Sequence, residues 1–367
     1  MNERTKHFLR ERFREYYLEY PIQLPSGFES REWGFVMFDA LPKIVMFRHK
    51  SFRSRQEVLE YLRSMAPAHA FSSVAYYEHP EAGTMADKNW IGADLIFDLD
   101  ADHLRDAPKS YPEMLARVKH ETVKLLDFMT DDFGFSDDMI DVVFSGGRGY
   151  HIHVRDPMVR TLGSAERREI VDYVSGRGVE MKTIPGENHG GWGTKINRWI
   201  VGYLRDLHEN EDALKILQGF DGIGEVRAKA LINANLELIR KGGIGLLRNI
   251  PESFWNELIS RAVQEVGASV DEPVTGDIKR LIRLPTSLHG GSSLRVVPLT
   301  MENIEIFDPL KDAVVFSDKE IMVEAGASAV CDLRGNHFEI GEGTNTVPEY
   351  AGIHLMCRRA VEYVGKA

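Results

Sequence analysis

The chain has little cysteine, no long apolar run and no excess of positive charge, and each shortage narrows its chemistry. Among 367 residues there are two cysteines, Cys331 and Cys357. Two thiols cannot build a disulfide framework or a cysteine-based zinc site, and the scarcity fits a reducing, cytoplasmic setting. No apolar stretch approaches the ~20 residues of a membrane span, so no membrane association is expected. The opening residues 6–15 read as a charged amphipathic helix rather than a secretory leader. The net charge of −11 argues against nucleic-acid binding over the whole surface. A local basic groove, or a partner that supplies part of the grip, would still permit it. There is no Walker-type Gly-x-x-x-x-Gly-Lys-Ser/Thr loop, no repeat and no low-complexity tract.

The residues present suit a globular protein. Hydrophobic residues make up 43% of the chain, and its length allows one large core or about two domains of ~150 residues. Residues 1–30 read as a helix broken near Pro21 and Pro25. Strand patterns follow at 33–38, 43–48 and 74–78, with a helix from Ser54 to Met65 between them. The clearest strand is 94–100. A long helix is expected over 111–133, ended by Gly134, then strands at 140–144 and 150–154 on either side of a glycine turn. From about 163 to 267 the pattern is helical, interrupted by glycine-rich loops at 185–193 and 242–245. Strand patterns resume at 278–284 and 294–299, and 349–363 reads as a closing helix. The expected organisation is an α/β catalytic domain at 1–160 and 266–367, interrupted by a largely helical insertion at 161–265.

Three segments carry chemistry. In the strand 94–100, side chains alternate between faces, so Leu95, Phe97 and Leu99 share one and Asp94, Ile96, Asp98 and Asp100 the other. Asp98 and Asp100 are then about 6.6 Å apart at Cα. Neighbouring carboxylates repel unless a cation joins them. Two divalent ions about 3.5–4 Å apart relieve the repulsion and suit in-line phosphoryl transfer. The same acids, with Asp102 and Asp106 nearby, also read as a strand end that caps the next turn of chain. The second segment, Ser145-Gly-Gly-Arg-Gly-Tyr-His151, lets the backbone approach a ligand closely and offers amides, a hydroxyl, a guanidinium and an imidazole to an anion. It reads equally as a hairpin turn with an exposed arginine. The third runs from Asp271-Glu-Pro-Val-Thr275 to Ser287-Leu-His-Gly290. Pro273 favours an extended or turn conformation at Glu272. Asp271 can join the aspartate pair, and Arg283 and His289 can meet phosphates. Alternatively it is an acidic loop beside a basic surface strand.

In this order the segments resemble the catalytic small subunit of archaeal and eukaryotic DNA primase, in its archaeal form. The resemblance is carried by Asp94-Leu-Ile-Phe-Asp-Leu-Asp-Ala-Asp102, by the glycine turn 145–151, by Asp271-Glu-Pro-Val-Thr275, and by Arg280-Leu-Ile-Arg-Leu-Pro285 with Ser287-Leu-His-Gly290. Residues 66–77 also look like the family's N-terminal region, and the likeness spans most of residues 30–300. It implies a mixed primase-type α/β domain with antiparallel-rich sheets. It implies that Asp98, Asp100 and Asp271 hold two Mg²⁺ or Mn²⁺ ions. Ser145, Gly146, Arg148, His151, Arg283 and His289 are implied to hold the incoming nucleotide, and Arg48 to lie near the active site. The implied activity is template-directed synthesis of short primers on single-stranded DNA, from NTPs and possible dNTP substrates, during replication. The implied partner is the primase large subunit, an iron–sulfur protein, in a heterodimer.

Two departures stand out. Many family members carry a lysine two residues after the Ser-Leu-His histidine, where this chain has Gly291; Arg295 is a candidate replacement. Many also carry a cysteine-rich zinc knuckle between the first two motifs. Residues 103–140 contain no cysteine, only His103 and His120, so no structural zinc is expected.

Three other readings stay open: a gap-filling repair polymerase of the same superfamily, a metal-dependent nuclease, and a non-catalytic DNA-binding protein. The last would use the 219–232 hairpin, whose Gly222-Ile-Gly224 turn can bind a phosphate but whose Asp221 and Glu225 would repel one.

Overall fold

Ser54 opens a helix for a local reason. Its hydroxyl accepts from the Glu57 amide, while Glu57 reaches back to the Arg53 amide at 2.8 Å, closing a reciprocal cap on helix Arg55–Met65. Val58 and Leu62, one turn apart, are fully buried, each contributing about 1.5–3 kcal/mol. Such locally encoded elements assemble in a computed structural model that describes residues 1–104, 108–179, 191–242, 247 and 249–367. Asp106 and most of the glycine-rich loops expected at 185–193 and 242–245 lie outside the described residues.

The strands, in order, are β1 (Trp33–Val36), β2 (Met46–Lys50), β3 (His69–Ser73), β4 (Ala75–Tyr77), β5 (Trp90–Ala93), β6 (Leu95–Asp100), β7 (Ile140–Phe144), β8 (Gly149–Val154), β9 (Leu281–Arg283), β10 (Val297–Leu299), β11 (Glu320–Ala325), β12 (Ala329–Leu333), β13 (Asn336–Ile340), β14 (Gly343–Pro348) and β15 (Val361–Lys366). They form two four-stranded sheets, β2-β1-β3-β9 and β10-β7-β8-β6, a three-stranded sheet β14-β11-β15, and the pairs β12-β13 and β4-β5. Their ladders are antiparallel. The protein is thus a mixed α/β fold rich in antiparallel sheet.

The chain divides into two compact units. The first comprises residues 1–122, 136–168 and 270–367 and holds every strand named above; the second comprises 123–135 and 169–269. The second is helical. In Trp192–His208 the buried Trp192, Ile196, Ile200, Leu204 and Leu207 form one stripe. Helix Glu252–Val266 buries Phe254, Trp255, Leu258, Ile259 and Ala262. Helices Ala213–Gln218 and Glu225–Ile232 flank the 219–224 turn, where Arg227 donates to the Gly222 carbonyl at 2.7 Å. Among the described residues no helix is long and apolar enough to cross a membrane.

Several elements depart from the sequence pattern. The closing helix stops at Cys357, and β15 comes after it, pairing with β11. Its Val361, Tyr363 and Val364 favour a strand once a partner is present. Lys43 to Val45 stay outside β2, beside the Leu41–Pro42 bond. Helix Tyr111–Asp127 ends in a π-turn over Phe128–Asp132 before Gly134 at φ +71°. Glu272 is helical, in Glu272–Gly276, because Pro273 is tolerated in a first helical turn, where its missing N–H has no partner to lose.

Candidate functional site

Strand register sets the site. β6 lies antiparallel to β8 so that Asp98 faces His151 and Asp100 faces Gly149. A side chain at 149 would collide with the Leu99 carbonyl. Glycine therefore lets the turn close directly over the aspartate pair. Asp98 and Asp100 face a cavity of about 320 Å³, which is also lined by Ser145, Gly147, Arg148, His151, Arg283 and His289.

The glycine turn is held from inside. Buried Ser145 accepts from the amides of Gly147 and Gly149, both at 3.3 Å, so its hydroxyl organises the turn while lining the cavity. Gly146 sits at φ +74°, where a Cβ would lie 2.8 Å from that of His289. Its carbonyl accepts from Ser292 Oγ. Arg148, at the tip, is exposed and paired with Asp102, with Asp100 Oδ1 at 3.6 Å.

His151 Nε2 lies 3.5 Å from Asp98 Oδ1. Burial, reinforced by Arg283 and Arg280, pushes its pKa down to about 3, so a neutral imidazole stands beside the carboxylate. Arg283 reaches the cavity from β9. Its guanidinium lies 5.1 Å over the Phe71 ring, and Nη1 donates to His69 Nδ1 at 2.8 Å. Burial lowers its pKa to about 10, against the opposing pull of Asp98 and Asp100, and it remains a cation. His289 Nδ1 accepts from the Gly291 amide at 3.2 Å. Burial, then Arg283 and His69, hold its pKa well below the usual range.

Asp271 adjoins the pair through the backbone: its amide donates to the Asp98 carbonyl at 3.0 Å. It is not among the residues lining the cavity. Among the described residues no three His, Cys, Asp or Glu side chains stand together at metal-holding spacing. Carboxylate oxygens at a polar cavity nonetheless match the donor preference of Mg²⁺ and Mn²⁺, so the chemistry of the donor set fits.

Arg48 is not at the cavity; it makes a two-point ion pair with buried Glu32, at 3.0 and 3.2 Å. Arg295 does not line it either; its amide is bonded to Ala313. Among the lining residues to which the sequence alone assigns no role are two arginines and a tyrosine. Arg280 belongs to the third motif but is not marked there as a phosphate ligand. Tyr111 and Arg358 carry no local signal. The Tyr111 hydroxyl donates to the Gly147 carbonyl at 2.6 Å, and the exposed Arg358 guanidinium lies 5.1 Å over the Tyr111 ring. His354, one turn before Arg358, donates from Nδ1 to the Ser292 carbonyl at 2.6 Å and ties that helix end to the His289 turn.

The buried histidines make stability acid-sensitive. Burial lowers His354 to about 4 and holds His69 and His153 well below 6.5. Below 6.5 the unfolded chain binds protons that the folded chain refuses. Stability therefore falls as pH drops, by up to about 1.4 kcal/mol per pH unit for each such group. Urea midpoints at pH 7 and pH 5 are expected to show the loss, and His354→Gln to reduce it. Equal midpoints at the two pH values would contradict the assignment.

Comparison with known proteins shows the family. A model of the DNA primase small subunit family matches residues 97–301. The DNA primase small subunit PriS of Methanococcoides burtonii is 49% identical, the match covering 99% of this chain and 100% of the relative. That of Methanosphaerula palustris is 47% identical, covering 99% of each. That of Methanosarcina acetivorans is 45% identical, covering 99% and 98%. Among solved structures, the polymerase domain of Mycobacterium tuberculosis ligase D in complex with DNA matches with a TM-score of 0.36 at 12% identity, covering 82% of this chain and 83% of that one; a likeness so slight carries no argument. By its family model and by full-length relatives alike, the chain belongs to the DNA primase small subunit family.

Proposed function

We propose that this chain is the catalytic subunit of a DNA primase, joining nucleoside triphosphates into short primers on single-stranded DNA during replication. The observation that carries the proposal is the register of β6 and β8, which turns Asp98 and Asp100 toward a cavity ringed by Arg148, Arg280, Arg283 and Arg358. Carboxylates beside a group of cations suit a divalent metal–triphosphate complex better than either ion alone. A nuclease has no need of such a cradle for a triphosphate.

Family membership brings divalent-metal use, a DNA template and a partner subunit in general terms. In the finer reading, Asp98, Asp100 and Asp271 hold two ions. Such ions, when bound, supply charge neutralisation at the phosphates and activation of the attacking 3′-hydroxyl. The chain's own groups do the rest. Arg148, Arg283 and His289 orient the triphosphate of the incoming nucleotide, with Ser145 and Gly146 shaping the turn against it. Neutral His151 offers a hydrogen bond without competing for the charge on Asp98. Arg358, which forms no ion pair among the described residues, adds a cation to a cavity lining in which Gly291 offers no side chain. The catalytic domain is assigned to 1–160 with 266–367, the insertion to 161–265, and the setting to the cytoplasm. An acidic chain acting on a polyanion motivates a heterodimer with the primase large subunit.

Arg148→Ala and Arg358→Ala are each expected to raise KM for the nucleotide about tenfold or more, with a smaller change in kcat. An unchanged KM removes that arginine from the phosphate site. The activity itself is tested on unprimed single-stranded DNA with NTPs or dNTPs, with and without the partner subunit. Short products without a pre-existing end are expected. Extension of pre-existing ends alone would make the chain a gap-filling polymerase.

A further inference from the structure

In a chain of net charge −11, residues 40–56 contain Lys43, Arg48, Lys50, Arg53 and Arg55 and no acidic residue. All five are exposed. The acids beside this segment are engaged, beginning with Asp39, immediately before it, which lies 3.7 Å from Arg10. Glu32 is buried under Arg48 and His49, Glu57 accepts from the Arg53 amide, and Glu81 meets Ser51 at 3.3 Å. Lys43, Lys50 and Arg53 make no side-chain hydrogen bond or ion pair among the described residues. Apolar side chains are interleaved with the cations: Ile44, Val45 and Phe47 are 71%, 48% and 48% exposed.

The position of this strip matters as much as its charge. β2 is the open edge of the sheet whose other edge, β9, sends Arg283 into the cavity. Between them, β3 contributes Phe71 to the cavity lining. Three strand spacings separate β2 from β9, about 14 Å in all, a reach of a few nucleotides. A β-bulge in the β1–β2 ladder brings both Arg48 and the His49 amide onto Glu32. Glu32, immediately before β1, alternates with Gly34, which pairs with Phe71, so the Arg48 that meets Glu32 lies on the cavity's face of the sheet.

We infer that residues 43–53 form the track for the backbone of the single-stranded template as it passes the active site. Phe47 and Lys50 pair with Phe35 and Trp33 and so face the opposite side of the sheet from Arg48, and this open edge thus offers cations on both faces with an exposed aromatic beside them. Such an edge fits phosphates and unstacked bases without reading sequence. The inference deepens the primase reading and rests on it, since it says where the template lies.

The test uses the full chain and a fluorescent oligothymidylate, titrated at several salt concentrations. The variant Lys43→Gln, Lys50→Gln, Arg53→Gln is compared with a charge-matched control, Lys311→Gln, Lys319→Gln, Lys366→Gln. Removing one cation from a phosphate should flatten the plot of log affinity against log salt by about 0.7, so the strip variant should be shallower by about 2 and bind roughly tenfold or more weakly at low salt. Nucleotide affinity and the melting temperature should match those of the unaltered protein, and the control should keep its slope. The same oligonucleotide affinity and slope in the strip variant would overturn the inference, and would leave the strip to a protein partner. An equal loss in the control would overturn it too, by showing a bulk charge effect. If the unaltered protein binds neither oligonucleotide nor triphosphate, the primase reading fails first, and the track with it.

Discussion

Asp98→Asn and Asp100→Asn are each expected to lower nucleotide incorporation roughly a thousandfold or more, while leaving the fold intact. The two carboxylates are 19% and 31% exposed and line the cavity. Neither is part of the core, so the amide replaces the acid without opening a void. Removing one of two nearby like charges relieves repulsion in the absence of metal, and the melting temperature should hold or rise slightly. Loss of metal-dependent triphosphate binding should accompany loss of activity. Primer synthesis by Asp100→Asn at the normal rate would rule out the two-ion assignment. A collapse in melting temperature would instead make these acids structural.

Asp94→Ala should do the reverse. Asp94 precedes the same strand but is 2% exposed, and it accepts from Arg31 Nη2 at 2.7 Å and from the Tyr76 hydroxyl at 2.8 Å. Arg31 is equally buried and also donates to the carbonyls of Ser73 and Val74. Removing the carboxylate strands a guanidinium in the core, at a cost of about 3–5 kcal/mol. The melting temperature is expected to fall by roughly 5 °C. At temperatures where the variant stays folded, KM for the nucleotide should be near normal. A variant of unchanged stability would show that Arg31 finds water or another partner. Asp94, Asp98 and Asp100 share a residue type and a strand face by alternation, yet only burial separates the structural acid from the two at the cavity.

Much of the architecture is legible in the sequence. The Ser54 cap, the strand ending at Asp100, and the strand–glycine turn–strand of 140–154 depend on local chemistry that a single sequence displays. The C-terminal region is not. Residues 320–348 form β11 to β14, and the residues that open β15 read locally as the end of a helix. These short strands gain their preference from partners rather than from their own residues.

The site divides in the same way. Its acids and its glycine turn stand out because metal binding and close backbone approach demand particular residue types. Tyr111 and Arg358 do not stand out, since an aromatic ring under a guanidinium needs no motif, only a fold that brings positions 111 and 358 together. Arg48 is a subtler case: its guanidinium is committed to buried Glu32 rather than to the cavity lining, a partner that no local pattern names.

By itself the sequence determined the residue types on which the chemistry rests, the order of the motifs, and the overall acidity against which residues 40–56 stand out. Only the tertiary structure decided which aspartate is buried and which face the cavity, which arginines ring it, and that the basic segment is a sheet edge a few strands away. The reason is that alternation and capping act over a few residues and are written locally. Burial and electrostatic neighbourhood depend on residues far apart in the chain, and no local pattern records them.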